Sequence, residues 1–187
     1  LEAEERVIRE LQELGKPFIV LVNAADPAGS RAQAIAKDIA SRYEVNCMAV
    51  NCLELSEEDV AGILKAVLYE FPMQELDLFL PPWVDALPQE HPIKEALYAA
   101  IREGTETLRR IRDVENAVGS FRNCEVVSEA RISSIDLGTG VSAACLELPR
   151  ALFYNTLSQQ SGFQIADDGD LLALLTQLAE VKSSYDK

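Results

Sequence analysis

The chain has a single histidine, His91, among 187 residues, and its four cysteines (Cys47, Cys52, Cys124, Cys145) form no C-x-x-C pair. A zinc site needs four nitrogen or sulfur ligands, paired at short spacing, so metal binding is rejected. Cys47 and Cys52 lie in an apolar stretch that reads as a buried strand and its tip. All four thiols are expected to be free and buried. The phosphate-binding pattern G-x-x-x-x-G-K-[ST] is absent, and Gly15-Lys16 is followed by Pro17, which has no N–H to offer a phosphate. Neither G-x-S-x-G nor G-x-G-x-x-G occurs. One histidine in a proline-rich stretch is a poor general base. No apolar run approaches the roughly 20 residues of a membrane-spanning helix. The first residues, Leu1-Glu2-Ala3-Glu4-Glu5, are acidic, the reverse of a basic secretory leader. Positive charge is scarce: 17 Lys and Arg stand against 31 Asp and Glu, a net charge of −14. Phosphate backbones and anionic lipids repel such a surface, so nucleic acid is not expected as a partner.

What is present reads as a globular chain, 48% hydrophobic and 26% charged, long enough for one domain or two small ones. Val7, Ile8, Leu11 and Leu14 recur at helical spacing over about 3–14, and Gly15 suits the left-handed residue that closes a helix. The run from Pro17 to Val22 does not alternate, which predicts a strand buried on both faces, as in a parallel sheet. It ends in the polar loop Asn23-Ala24-Ala25-Asp26-Pro27. A helix is predicted over 30–43 with Ile35, Ile39 and Tyr43 on one side, then a strand over 47–50 ending in Asn51-Cys52. Ser56-Glu57-Glu58-Asp59 reads as a capping box opening a third helix, whose apolar stripe runs from Val60 to Phe71. The order α-β-α-β-α signals a parallel α/β sheet. Two strands are few for such a sheet. With Leu1 in place of an initiator Met, this leads to the expectation of a piece cut from a longer protein.

Five of the eight prolines fall between Phe71 and Pro92. That stretch reads as an inter-domain connection with one extended piece, 76–80, and with Trp83 as a packing anchor between domains. One long helix is expected over 92–118, carrying a basic face of Arg102, Arg109, Arg110 and Arg112. A hairpin follows, with arms over 124–136 and 141–148 joined by Leu137-Gly138-Thr139-Gly140. The arm around Ile132–Asp136 is expected at a sheet edge. Val141, Ala143 and Cys145 alternate, as a half-buried strand should. Pro149 opens a helix that Gly162 closes, 163–166 reads as a short strand, and a last helix starts near Gly169. The second part is thus α-β-β-α-β-α, an α+β arrangement with a long helix and a β-hairpin.

One loop carries site-like information. In open α/β sheets ligands sit beyond the carboxyl ends of the strands, where Asn23-Ala24-Ala25-Asp26 lies. GTPases of the P-loop class place N-K-x-D there: the Asp meets the base edge, the Lys stem packs on the base, and the Asn ties the loop to its neighbours. Ala24 stands where that class has Lys. Asn51 ends the next strand, where the class places a second base-recognition loop. Asn23, Asp26 and Asn51 are therefore the candidate nucleotide-base residues, with no catalytic or metal residue assigned. Asp167-Asp168-Gly169-Asp170 is too short for a calcium loop and reads as a turn with a helix cap. Glu125 with Glu129, and Asp167 with Asp168, are the clustered carboxylates an unassigned enzyme would use.

Longer segments carry a resemblance. Glu2 to Ile8, Gly15 to Ile19, Leu68-Tyr69-Glu70-Phe71-Pro72, Leu80-Pro81-Pro82-Trp83-Val84, Arg112-Asp113-Val114, Gly119, Gly138, Gly140-Val141 and Lys182 to Asp186 follow, in order, the stage IV sporulation protein A family. The resemblance implies that 1–76 is the end of a P-loop GTPase-like ATPase domain and 77–187 an α+β middle domain. It implies a protein of the mother-cell cytoplasm that binds ATP and Mg and hydrolyses the nucleotide. It implies self-assembly into a polymer on the forespore surface, the basement layer of the spore coat. Its implied partners are further copies, a small amphipathic forespore-membrane protein and other coat proteins. The family's P-loop has no matching position here, so this stretch by itself is expected to hold no cofactor and to be inactive. The alternative is a nucleotide-sensing or protein-interaction module without catalysis.

Overall fold

The computed structural model describes residues 2–185; Leu1, Asp186 and Lys187, and with them the last residue of the resemblance, lie outside the described residues. The described chain is mixed α/β, with seven α-helices, a two-stranded parallel sheet and a three-stranded sheet of order β3-β5-β4. It divides into two units. The first comprises Leu1–Asp77, Thr107–Asn116 and Ser133–Ala143, and the second the rest.

In the first unit, α1 (Glu2–Glu13) leads to β1 (Val20–Asn23), α2 (Ser30–Tyr43), β2 (Cys47–Val50) and α3 (Glu57–Tyr69). Gly15, at φ +64°, reverses the chain after α1. The strands pair in parallel, Val20 against Cys47 through Asn23 against Val50, as the α-β-α-β order predicts. Ser56 caps α3: its hydroxyl accepts from Asp59 N–H at 3.1 Å, and the Asp59 carboxylate accepts from Ser56 N–H at 2.9 Å. The expectation that β1 is buried on both faces is corrected. Its pattern alternates, and Leu21 is 40% exposed, because the described residues leave that face of the strand partly uncovered. The inward residues of α2 are Ala32 and Ala36, with Ile35 exposed; the small side chains let the helix approach the strands closely. Val60 and Leu64 of the α3 stripe are also exposed. Cys47 is half-buried and burial pushes its thiol pKa up, whereas Cys52 is exposed, so the expectation of four buried thiols fails there.

The single helix expected over 92–118 is three pieces: α4 (Pro92–Thr105), a 3-10 turn (Ile111–Asp113) and α5 (Val114–Ser120). The break lies where Arg110 is extended, at φ −122° and ψ 160°. There the backbone finds partners outside the helix. Met73 N–H donates to Arg109 O at 2.9 Å and Ile111 N–H to Phe71 O at 3.1 Å, while Asp113 Oδ2 accepts from the N–H groups of Arg109 and Arg110. The expected basic face therefore does not form. Arg110 and Arg112 instead clasp Glu70, at the end of α3, each at 2.9 Å.

The stretch read as a connection contributes β3 (Glu75–Phe79) to the three-stranded sheet. The hairpin is confirmed as β4 (Glu129–Asp136) and β5 (Val141–Glu147), with Gly140 N–H to Asp136 O at 2.9 Å and Ser128 N–H to Glu147 O at 2.8 Å. The β4 strand lies at the sheet edge, as expected, and β5 is central. Only Gly140 of the two turn glycines has positive φ, +74°, and a Cβ there would stand 3.1 Å from Pro72 O. The alternation expected along β5 is present: Val141, Ala143 and Cys145 are half-buried, while Ser142, Ala144 and Leu146 between them are buried.

In the second unit Val84, Leu97, Phe121 and Leu146 form the heart of the core, all essentially without solvent contact. Each such side chain contributes about 1.5–3 kcal/mol by leaving water. Gly104 permits the approach of α4 to the turn at Phe121–Asn123, for a Cβ there would sit 2.6 Å from Phe121 Cε1. Trp83 packs its ring 5.7 Å from that of Phe153, within this unit. Helix α6 (Arg150–Ser161) ends at Gly162, φ +76°, as predicted. No strand forms over 163–166. Ser158 Oγ takes Ile165 N–H and donates to Ile165 O, both at 3.0 Å, and Asp170 takes Ala166 N–H, so side chains satisfy that backbone. Helix α7 (Asp168–Tyr185) begins in the predicted acidic cap, with Asp167 Oδ1 accepting from Asp170 N–H. Its Leu172, Leu175, Leu178 and Val181 are exposed.

Candidate functional site

The parallel pairing brings the two candidate loops side by side. Asn23 and Val50 are the last register pair, and Ala24 N–H extends the ladder to Val50 O at 2.9 Å. Just beyond, Asn23 Oδ1 accepts from Cys52 N–H at 3.0 Å. This one side chain stitches the loop after β1 to the loop after β2. Asn51 organises its own loop: its Oδ1 accepts from Leu53 N–H at 3.1 Å, and its Nδ2 donates to Glu54 Oε2 at 3.1 Å and reaches Ala25 O at 3.5 Å. The self-directed carbonyl bond is an Asx turn, the local alternative to ladder pairing that Asn favours.

Asp26 turns the chain into α2. Its carbonyl accepts from Gly29 N–H at 3.2 Å, and its carboxylate packs over Gly29 so closely that a Cβ there would lie 2.7 Å from Oδ2. Gly29 is the N-cap of α2 and makes no side-chain cap bond. Asn23, Ala24, Asp26 and Arg31 line a cavity of about 470 Å³, within the range of small-ligand sites. The arrangement offers a carboxylate acceptor at Asp26 and a guanidinium donor at Arg31. No long stem covers the position of Ala24. Arg31 was missed in the sequence, although its place in the first turn after a candidate loop marks it. Asn51 organises the neighbouring loop without lining this cavity.

Comparison with known proteins extends the geometry. Residues 73–187 match the family model described as stage IV sporulation protein A, middle domain, and residues 1–72 match its ATPase domain. Similar curated proteins named stage IV sporulation protein A occur in Clostridioides difficile (strain 630), 37% identical, Bacillus subtilis (strain 168), 35%, and Bacillus anthracis, 33%. Each match covers all of this chain and 38% of the relative, so the chain spans well under half of their length. No solved structure matches.

Proposed function

We infer, since the chain belongs to the stage IV sporulation protein A family, that it is the part of a sporulation morphogenetic ATPase that ends the nucleotide domain and continues into the middle domain. The observation that supports this most is the collinear match of both domains over the whole chain. In this reading β1 and β2 belong to a P-loop GTPase-like sheet, and their carboxyl-end loops face the base of ATP. Asn23 holds the two loops together, Asn51 shapes the second, and Asp26 offers the carboxylate. The absence of Lys at position 24 fits a base preference other than guanine. The whole protein, with ATP and Mg, would self-assemble on the forespore surface in the mother-cell cytoplasm as the basement layer of the coat. A small amphipathic membrane protein and other coat proteins would dock there. The present chain has an assembly role and no hydrolysis of its own, because it carries no glycine loop or lysine to stabilise a transferring phosphoryl group.

Calorimetric titration with ATP and with GTP, magnesium present, tests this reading. No heat from either is the expected result. A Kd tighter than about 100 μM, roughly 5.5 kcal/mol, would overturn it in favour of a nucleotide-sensing module. The cavity beside Asn23 and Asp26 is the observation that favours that second reading.

A further inference from the structure

Helix α7 is 18 residues long, about 27 Å, and little of the chain covers it. Of residues 168–183, Leu171 and Leu174 are half-buried and all the others are exposed. Leu172, Leu175 and Leu178 are 67%, 55% and 47% exposed. At about 3.6 residues per turn, Leu171, Leu175, Leu178 and Lys182 share one side of the helix, and Thr176 and Glu180 fall on the other. An apolar stripe of this kind is normally buried against another element.

The two ends of α7 differ in charge. Asp168 and Asp170 stand in its first turn and Lys182 in its last. Asp168 Oδ1 accepts from the Tyr154 hydroxyl at 2.5 Å and its Oδ2 lies 3.4 Å from Arg150 Nη1, yet its side chain stays 70% exposed. A carboxylate offers about four lone-pair sites, so it can take a further donor. Asp170 Oδ2 accepts from Ala166 N–H at 2.9 Å. With an acidic end, a basic end and an apolar middle, the helix is complementary to itself when reversed. Turned about a twofold axis between Thr176 and Gln177, it sets Leu175 opposite Leu178 of a second copy. Lys182 then falls opposite Leu171, within a turn of Asp168. The reversal also lays the positive N-terminal end of one helix dipole beside the negative C-terminal end of the other. A parallel pair would set like charges together at both ends.

We propose that α7 is a self-association surface, pairing antiparallel with α7 of a second copy. Leu175 and Leu178 of both copies are buried at its centre, and Lys182 of each meets the acidic first turn of the other. Each copy carries a net charge of −14, so two copies repel over most of their surface. Contact is favoured where a cation of one meets the carboxylates of the other. A twofold pair of this kind is closed, because each copy presents the same patch. The pairing names a surface for the assembly role proposed above. It needs no nucleotide, so it is independent of the base-loop reading and its failure leaves that reading untouched.

The test is sedimentation equilibrium of the chain from about 10 μM to about 1 mM, at about 150 mM salt to screen the general repulsion. The expected result is a reversible monomer–dimer equilibrium, with concentration-dependent ¹⁵N–¹H NMR shifts centred on residues 170–183. Leu175→Glu should weaken the dimer by about tenfold or more, since it drives a charge into an apolar contact. Lys182→Glu should weaken it by about fivefold, because it sets carboxylate against carboxylate at both ends, whereas Lys182→Arg should keep it. Lys182 is exposed, so its variants keep the fold and decide the matter even if Leu175→Glu misfolds. A monomer mass over the whole range would leave the face to a different partner and overturn the proposal. Open-ended assembly, shifts centred on another element such as the edge strand β4, or a Lys182→Glu dimer as tight as the native one would overturn it as well.

Discussion

Glu70 is the residue on which the first unit most depends. Its carboxylate is the sole buried acid among the described residues, and two guanidiniums satisfy it. Breaking a fully buried ion pair costs about 3–5 kcal/mol. Here Arg110 and Arg112 are 44% and 33% exposed, so water would screen them once freed. Glu70→Gln is expected to lower stability by about 2 kcal/mol, a reduced share of that figure, seen as a fall in the urea midpoint. An unchanged midpoint would mean that the clasp contributes nothing net. The exposed pair Arg6–Glu10 on α1 serves as the control, since such i,i+4 pairs contribute about 0.3–0.5 kcal/mol. Little of the clasp was legible in the sequence: the partners are 40 and 42 residues apart, and no short pattern links Tyr69-Glu70-Phe71 to them. Asn23 and Asp26 were legible, because turn chemistry and strand order are local. The bond from Cys52 to Asn23 needed the register of the two strands.

Among elements, α3 shows how far a cap can be read from sequence. Ser56→Ala is expected to cost about 1 kcal/mol, measured by thermal or urea unfolding. Asp59 supplies the reciprocal half, and its carboxyl is held below its ordinary value of 3.8, first by the Ser56 hydroxyl and then by the Ser56 N–H. A depressed carboxylate stabilises the fold above its ordinary pKa, and that contribution disappears as pH falls through the lower folded value. The stability difference between the native chain and Asp59→Asn should therefore be present at pH 5 and shrink below about pH 4; a difference that persisted at pH 2 would rule the linkage out. The helix expected over 92–118 misled because its apolar spacing runs through the break. Periodicity does not register that residues 109–111 bond to residues 71–73. The strand expected over 163–166 failed for a similar reason, as Ser158 and Asp170 satisfy the backbone groups that a neighbouring strand would otherwise take.

For the molecule as a whole, charge and covering decide. Self-repulsion in a chain of net charge −14 opposes the compact state. Raising salt from about 10 mM to about 150 mM shortens the screening length from roughly 30 Å to 8 Å, so the thermal midpoint at pH 7 should rise over that range. A fall would mean that local ion pairs such as the Glu70 clasp outweigh the global repulsion. Among the described residues no helix is long and apolar enough to cross a membrane. The sequence by itself determined the order of most elements, the parallel pairing of β1 and β2, the cap at Ser56, the stop at Gly162, the hairpin and the family. The cap, the stop and the hairpin turn depend on residues within a turn or two of one another, the strand pairing on the alternating order of elements, and the family on collinear identity. Only the tertiary structure decided which faces are covered: why Leu21, Leu64 and Leu175 remain exposed while Ser142 is buried, and how the arginine cluster divides. Burial is a property of what lies opposite a side chain, and the residues opposite come from distant parts of the chain.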